Sequence, residues 1–201
     1  GFSIICYSPK GAPKPWKNPV AIISVATNAG EEKQFVAENS DDKAVIESFV
    51  KYVRDFDPDV IVGYGTNRQD WPYLLARSKK LKADLFVDRT KTEPHMSVFG
   101  HVSVTGRANV DLSDFAEDLP EVKVKTLENV ADFLGVMKLE ERVIIEDIDF
   151  PNYWEDSGKR PKLMNFSKEN TQCIMGLADA MMDFAMPVSY THLRAHETVL
   201  D

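Results

Sequence analysis

The amino-acid sequence predicts one α/β domain with a mixed central β-sheet flanked by helices. Short apolar, β-branched runs alternate with segments of helical periodicity, in the order β-β-β-α-β-α-β-β-α-α. The 201 residues and the hydrophobic fraction of 43% suffice for a single buried core. No apolar run approaches the roughly 20 residues that a membrane-spanning helix needs. We therefore predict no membrane partner.

Charge and cysteine content narrow the functional classes. The net charge of −8 argues against nonspecific nucleic-acid binding over the whole surface, but it is compatible with a local basic groove. Cys6 and Cys173 are the two cysteines, and they form neither a disulfide framework nor a zinc motif. The first residues lack the basic start of a signal peptide. These features predict a protein of a reducing compartment, the cytoplasm.

The first part of the chain predicts a strand-rich core. The run at 20–26 is apolar at nearly every position, as in a central strand. Turn residues then predict a hairpin, and helical periodicity follows. The predicted elements are strands at 2–7, 20–26 and 33–37 and a helix at 43–56.

The stretch 57–75 is the predicted centre of function. An apolar, β-branched run at 60–62 is typical of a buried strand, and Gly63 and Gly65 allow a sharp turn after it. Asp70 then lies near the start of a helix, where the helix dipole alone already favours an acid. In open α/β sheets, ligands bind at the carboxyl ends of strands, so we expect the chemistry at this turn.

The second part predicts shorter and less regular elements. Thr126 and Ser167 are the predicted N-caps of two helices, and Gly135 ends the first of them. Residues 138–162 predict an irregular polar segment. The predicted strands are 85–87, 97–104 and 109–112, of which the last two pair around Thr105 and Gly106, and the predicted helices are 126–134 and 167–185.

The C-terminal segment differs from the rest of the chain. Its string VSYTHLRAHET resembles the in-frame translation of a sequencing adaptor over eleven consecutive residues. We therefore expect a native domain at 1–187, truncated at both ends, and a non-native tail at 188–201. A metal-binding interpretation of His192 and His196 in this tail would be a false positive.

Five motifs in collinear order resemble family B DNA polymerases. VGYGTNRQDWPYL resembles their second exonuclease motif, FSIICYSPKG the first, and NFSKENTQCIMGLA the third. GRANVDL and TLENVADFLG resemble stretches that lie between the second and third motifs. The resemblance spans residues 1–186. It implies the 3′–5′ exonuclease domain of an archaeal-type family B polymerase, with a ribonuclease H-like fold.

The resemblance also implies which residues form the site. In this family two divalent metals hydrolyse the phosphodiester, and four acids hold them while a tyrosine orients the water. The first-motif acids fall on Ser3 and Ile5, the second-motif acid on Asp70, and the third-motif acid and tyrosine on Asn170 and Phe166. Only Asp70 is retained. We therefore expect a vestigial metal ligand, no cofactor and no exonuclease activity.

Partners follow from the same resemblance. The domain is expected to work beside the remaining polymerase domains in cis, as a structural or DNA-guiding module in DNA replication and repair. The DNA region it would meet is the single-stranded 3′ end. The second-motif side chains expected to contact DNA are Tyr64, Asn67, Arg68 and Trp71.

Two alternatives stay open at this point. One is a working exonuclease in which Asp70, Asp111 and Asp179 converge on Mg²⁺ in a shifted arrangement. We disfavour the underlying register, because the first motif would remain without acids. The other is a standalone interaction module with no polymerase attached.

Overall fold

Seven strands and six α-helices follow one another in the computed structural model, which describes the backbone of residues 1–38 and 41–197 and the side chains of 1–38 and 41–182. The strands are β1 (Phe2–Cys6), β2 (Val20–Ala26), β3 (Glu32–Val36), β4 (Val60–Gly63), β5 (His95–Met96), β6 (Val102–Ser103) and β7 (Ala108–Asp111). The helices are α1 (Lys43–Phe56), α2 (Asp70–Leu81), α3 (Leu112–Ala116), α4 (Leu127–Phe133), α5 (Phe150–Glu155) and α6 (Arg160–Glu197).

The strands combine antiparallel and parallel pairing. β2 lies between β1 and β3 and pairs antiparallel with both, so that Ile5 lies opposite Ile22. β4 and β7 pair in parallel, which places Gly63 opposite Asp111. β1 packs beside β4, and β5 and β6 form a separate two-stranded ribbon. The predicted α/β class with mixed strands is confirmed.

Alternation along β1 sends its side chains to two packed faces. Phe2 packs against Phe49 of α1 and Trp71 of α2, with ring centroids 5.5 Å and 4.8 Å away. Ile5 belongs to a different cluster, which includes Phe166 of α6. Helices α1 and α2 therefore cover one face and α6 the other. The odd-numbered positions of β1 lie on the α6 face.

The start of α6 differs from the sequence prediction. The helix begins at Arg160, and Pro161 occupies its first turn, where a missing N–H group is tolerated. Ser167 is not an N-cap. It is a buried residue within the helix, and its Oγ lies 2.7 Å from Ser24 Oγ on β2. The serine thus joins helix to sheet instead of starting the helix.

Three further predictions were wrong in detail. Leu85 and Val87 are buried and Phe86 is half-buried, but residues 85–87 are not part of a strand. The predicted strand at 97–104 is mainly a turn followed by β6, and β7 pairs with β4 instead of with this segment. The segment 138–162 contains α5 and two short 3-10 helices that were not predicted. They are Leu139–Glu141 and Asp147–Asp149.

Two predictions concern the ends and the environment of the chain. The side chains of 183–201 lie outside the described residues, so the non-native tail at 188–201 stays a prediction. Over the part of the chain that the structure describes, no helix combines the length and the apolarity that a bilayer crossing requires.

Candidate functional site

The turn between β4 and α2 depends on glycine. A Cβ atom at Gly63 would lie 2.1 Å from Thr66 Cγ2, so a larger residue does not fit there. Gly65 has a φ angle of +72°, in the left-handed region that favours glycine. A hydrogen bond of 3.0 Å from the Gln69 N–H to the Gly65 carbonyl tightens the turn. The chain then enters α2 at Asp70.

Asp111, at the end of β7, stabilises this turn through hydrogen bonds. Its carboxylate accepts the backbone N–H groups of Gly65 at 2.7 Å and Asn67 at 2.8 Å. It also accepts the N–H of Ser113 at 3.1 Å and the Ser113 hydroxyl at 2.8 Å, which caps α3. The residue is only 3% exposed. Both carboxylate oxygens are therefore engaged in holding the turn.

Asp70 lies at the first position of α2, next to β1. The side chain is half-buried, and the backbone of Ile4 forms a hydrogen bond with its carboxyl group. Burial raises the pKa of this carboxyl to about 8, the negative charge of Asp111 adds to the rise, and the Ile4 hydrogen bond opposes it. Burial therefore favours the neutral, protonated form of this carboxyl group.

The first-motif positions on β1 carry no acid and therefore no charged oxygen ligand for a metal. Ser3 lies opposite Ser24 in the β1–β2 ladder, and its Oγ is buried without a hydrogen-bond partner among the described residues. Ile5 is 2% exposed and packs in a hydrophobic cluster with Ile145 and Phe166. One apolar cluster therefore holds both a first-motif position and a third-motif position.

A buried arginine lies between the third-motif positions of α6. Arg142 donates from Nη2 to Asn170 Oδ1 at 2.5 Å and from Nη1 to Cys173 Sγ at 3.2 Å. Its guanidinium carbon lies 5.1 Å from the centre of the Phe166 ring. Arg142 was not predicted as a site residue, since it belongs to the segment interpreted as irregular. No local motif marks it, because its partners follow about thirty residues later along α6.

Comparisons with known proteins agree with this architecture. The family model described as DNA polymerase family B, exonuclease domain, matches residues 31–130. DNA polymerase 2 of Aeropyrum pernix is 47% identical over 94% of this chain and 23% of its own length. The DNA polymerase of Archaeoglobus fulgidus is 40% identical over 80% of this chain and 20% of its own length. The solved structure of the family B DNA polymerase from Pyrobaculum calidifontis superposes with a TM-score of 0.89 at 48% identity, covering 91% of this chain and 24% of that one.

The chain belongs to the exonuclease domains of family B DNA polymerases. It spans about a quarter of the length of the polymerases it matches. The recognition of an archaeal-type family B exonuclease domain with a ribonuclease H-like fold is therefore confirmed.

The donor set does not fit the metal pair that the exonuclease family implies. Two divalent cations need several charged oxygen ligands that converge. Within the described residues, no three His, Cys, Asp or Glu side chains form a group that could hold a metal ion. The positions that resemble the family acids present a half-buried Asp70, the neutral side chains of Ser3 and Ile5, and an Asn170 already bonded to Arg142.

The structure does not bring together the three acids of the active alternative. Asp70 and Asp111 lie around the turn at the carboxyl ends of β4 and β7. Asp179 is exposed and lines a groove of about 640 Å³ with Gly1 and Asp57, at the opposite ends of β1 and β4. The predicted convergence of these acids on Mg²⁺ is therefore wrong in this geometry, because Asp179 lies at the opposite end of the strands from Asp70 and Asp111.

The predicted DNA-contacting side chains separate into buried and exposed ones. Trp71 is 0% exposed and donates from Nε1 to Asn109 Oδ1 at 3.0 Å, so its predicted contact with DNA is corrected to a core role. Asn67 is buried, and its amide group bonds to the neighbouring strands. Tyr64 is half-buried and donates to a backbone carbonyl. Arg68 is the exposed member of the set and pairs with Asp114 across 3.5 Å.

Proposed function

We propose that this chain is a catalytically silent exonuclease domain of an archaeal-type family B DNA polymerase, retained as a structural or DNA-guiding module. The observation that carries the proposal is the character of the four degenerate positions. Ser3, Ile5, Phe166 and Asn170 replace three acids and a tyrosine, and two of them, Ile5 and Phe166, belong to one buried apolar cluster.

Elementary electrostatics supports the absence of nuclease activity. The family site draws its affinity for two divalent cations from several negative charges. Here one carboxyl remains, and burial raises its pKa to about 8. Ile5 cannot ligate a metal, and the buried guanidinium of Arg142, which lies 3.7 Å from the Glu169 carboxylate, places a positive charge beside Asn170 of the third motif. Each of these features lowers the affinity of the site for Mg²⁺ or Mn²⁺.

The partners proposed for the domain are the remaining polymerase domains of the same chain and the DNA that they bind. The exposed side chain of Arg68 and the aromatic Tyr64 flank the turn where the family places its DNA end. We propose that a single-stranded 3′ end passes this turn without being cut, and that the domain works in the cytoplasm beside the other polymerase domains.

The decisive test is a nuclease assay of the full-length polymerase that contains this domain. A 5′-labelled single-stranded oligonucleotide and a primer with a mismatched 3′ end are incubated with Mg²⁺ or Mn²⁺ and no nucleotides. We expect no shortening beyond that seen with the matched Asp70→Ala variant. Shortening that the Asp70→Ala substitution abolishes would show that the retained acid still works, and it would overturn the proposal.

A further inference from the structure

A buried positive charge, the guanidinium of Arg142, contacts the third-motif positions Asn170 and Phe166 of α6. The Arg142 side chain is 1% exposed. Removing a guanidinium from water costs free energy unless opposite charge and hydrogen bonds compensate. The carboxylate that approaches it is that of Glu169, whose Oε2 lies 3.7 Å from Arg142 Nε. Both of these atoms are buried and lack a hydrogen-bond partner among the described residues.

The Glu169 carboxylate supplies the opposite charge, and the neutral side chains of the motif supply the direct hydrogen bonds. The amide oxygen of Asn170 accepts from Nη2 at 2.5 Å, and Cys173 Sγ accepts from Nη1 at 3.2 Å. The Phe166 ring lies beneath the guanidinium at 5.1 Å, a distance at which a cation is attracted to an aromatic face. Asn170 and Phe166, the residues that differ from the family acid and tyrosine, are thus both contacts of Arg142.

Arg142 also connects the segment between α4 and α5 to the site. It belongs to the stretch between α4 and α5, and its neighbour Ile145 packs in the cluster that holds Ile5 and Phe166. The guanidinium and the apolar cluster therefore lie together on the face of the sheet that α6 covers. A divalent cation at the third-motif position would have to approach a fixed positive charge there.

We propose that Arg142 is a built-in cation that occupies the third-motif half of the former metal site, so that restoring the family acids restores metal binding only when Arg142 is removed as well. This inference rests on the proposed function. A carboxylate introduced by Asn170→Asp would pair with the guanidinium, because the two groups already lie within hydrogen-bond distance. That carboxylate is then engaged and unable to serve a metal.

The first test measures Mn²⁺ binding to the full 201-residue chain by titration calorimetry. The triple variant Ser3→Asp, Ile5→Glu, Asn170→Asp is compared with the quadruple variant that adds Arg142→Gln. We expect at least about tenfold tighter binding in the quadruple variant, since removing a unit charge a few ångströms away is a large electrostatic change. Equal affinities in the two variants would overturn the inference. Adding Arg160→Gln instead, at an arginine stacked on Trp154, is the matched control and should change nothing.

A second measurement covers the case in which Ile5→Glu disrupts the apolar cluster and prevents folding. Asn170→Asp is introduced alone and together with Arg142→Gln, and the thermal midpoint is followed by circular dichroism. With Arg142 present, we expect the substitution to leave the midpoint unchanged or to raise it. With Arg142→Gln, we expect the same substitution to lower the midpoint, because the new carboxylate loses its counter-charge.

An equal effect of Asn170→Asp in the two backgrounds would refute the pairing of Arg142 with this position. The proposed function fails by a different result, since nuclease activity of the unaltered polymerase is measured without any change to Arg142. The two failures are therefore distinguishable.

Discussion

The carboxyl group of Asp70 makes a pH-dependent contribution to stability. Burial raises its pKa from the ordinary 3.8 to about 8, so the folded chain binds this proton more tightly than the unfolded chain. Between these values the folded state keeps a proton that the unfolded state has lost. The contribution is therefore fully present at pH values below 3.8, and the free energy of unfolding falls as the pH rises towards 8.

Asp70→Asn should remove this decline. We expect the unfolding free energy of the variant, from urea titrations at a series of pH values bracketing the window, to exceed that of the unaltered chain increasingly as the pH rises. Asp179→Asn removes one acid from an exposed position and serves as the control. If Asp70→Asn kept the full pH dependence of the unaltered chain, the carboxyl would not be the group responsible.

Site positions can be predicted from local motifs, but the tertiary contacts of those positions cannot. The family resemblance assigned Ser3, Ile5 and Asn170 to the site, because each of its motifs is local along the chain. Arg142 could not be predicted from the sequence, since its contacts with α6 are long-range and its own segment has no regular pattern. Trp71 was misjudged for a related reason: an aromatic side chain suits a DNA-stacking surface and a core equally, and only tertiary packing decides between them.

Among the elements, α6 carries a glycine whose role is close packing. A Cβ atom at Gly176 would lie 2.3 Å from Val136 Cγ1, in the segment after α4. In an exposed helix, alanine is favoured over glycine by about 1 kcal/mol. Here the added methyl group would overlap the valine, so we expect Gly176→Ala to lower the free energy of unfolding by about 1–3 kcal/mol. Urea titration of the full chain measures it.

The control for this prediction relieves the overlap from the other side. In the double variant Gly176→Ala, Val136→Ala, the space vacated by the valine accepts the new methyl group. The double variant should therefore be more stable than Gly176→Ala plus the separate cost of Val136→Ala would give. A stabilising effect of Gly176→Ala on its own would show that the helix and the loop are not in this contact.

Element boundaries were predictable where local signals and packing agreed. The predicted strand at 20–26 and helix at 43–56 have the observed bounds, because each shows one clear periodicity between turn signals. The start of α6 was wrong, since Ser167 has the chemistry of an N-cap but is used for a buried contact with Ser24. The pairing of β7 with β4 was out of reach because parallel partners are distant along the chain.

Across the whole molecule, one buried ion pair links the layers. Asp42 accepts from Arg77 Nε at 2.7 Å and Nη2 at 3.0 Å, and also from the N–H of Val20 at 2.9 Å. Arg77 Nη1 donates to the Pro15 carbonyl at 2.9 Å. The pair thus connects β2, the start of α1, helix α2 and the loop that precedes β2. Both side chains are less than a tenth exposed.

Removing one member of this pair should be far more damaging than removing both charges. Arg77→Met leaves the Asp42 carboxylate buried without its counter-charge, which costs about 3–5 kcal/mol of unfolding free energy. In the double variant Arg77→Met, Asp42→Asn, the amide still accepts the Val20 N–H and no charge is buried, so part of the loss should be recovered. Urea titrations of the single and double variants measure this coupling.

Lys43→Met supplies the comparison on the surface, because Lys43 pairs with Glu47 at 3.6 Å with both side chains about half exposed. Its loss should cost less than about 0.5 kcal/mol, since solvent screens exposed pairs along a helix. Equal costs for Arg77→Met and Lys43→Met would mean that water reaches the Asp42 carboxylate. The sheet, the two helices and the loop would then owe their arrangement to apolar packing alone, and the ion pair would set no more than the local conformation of the loop.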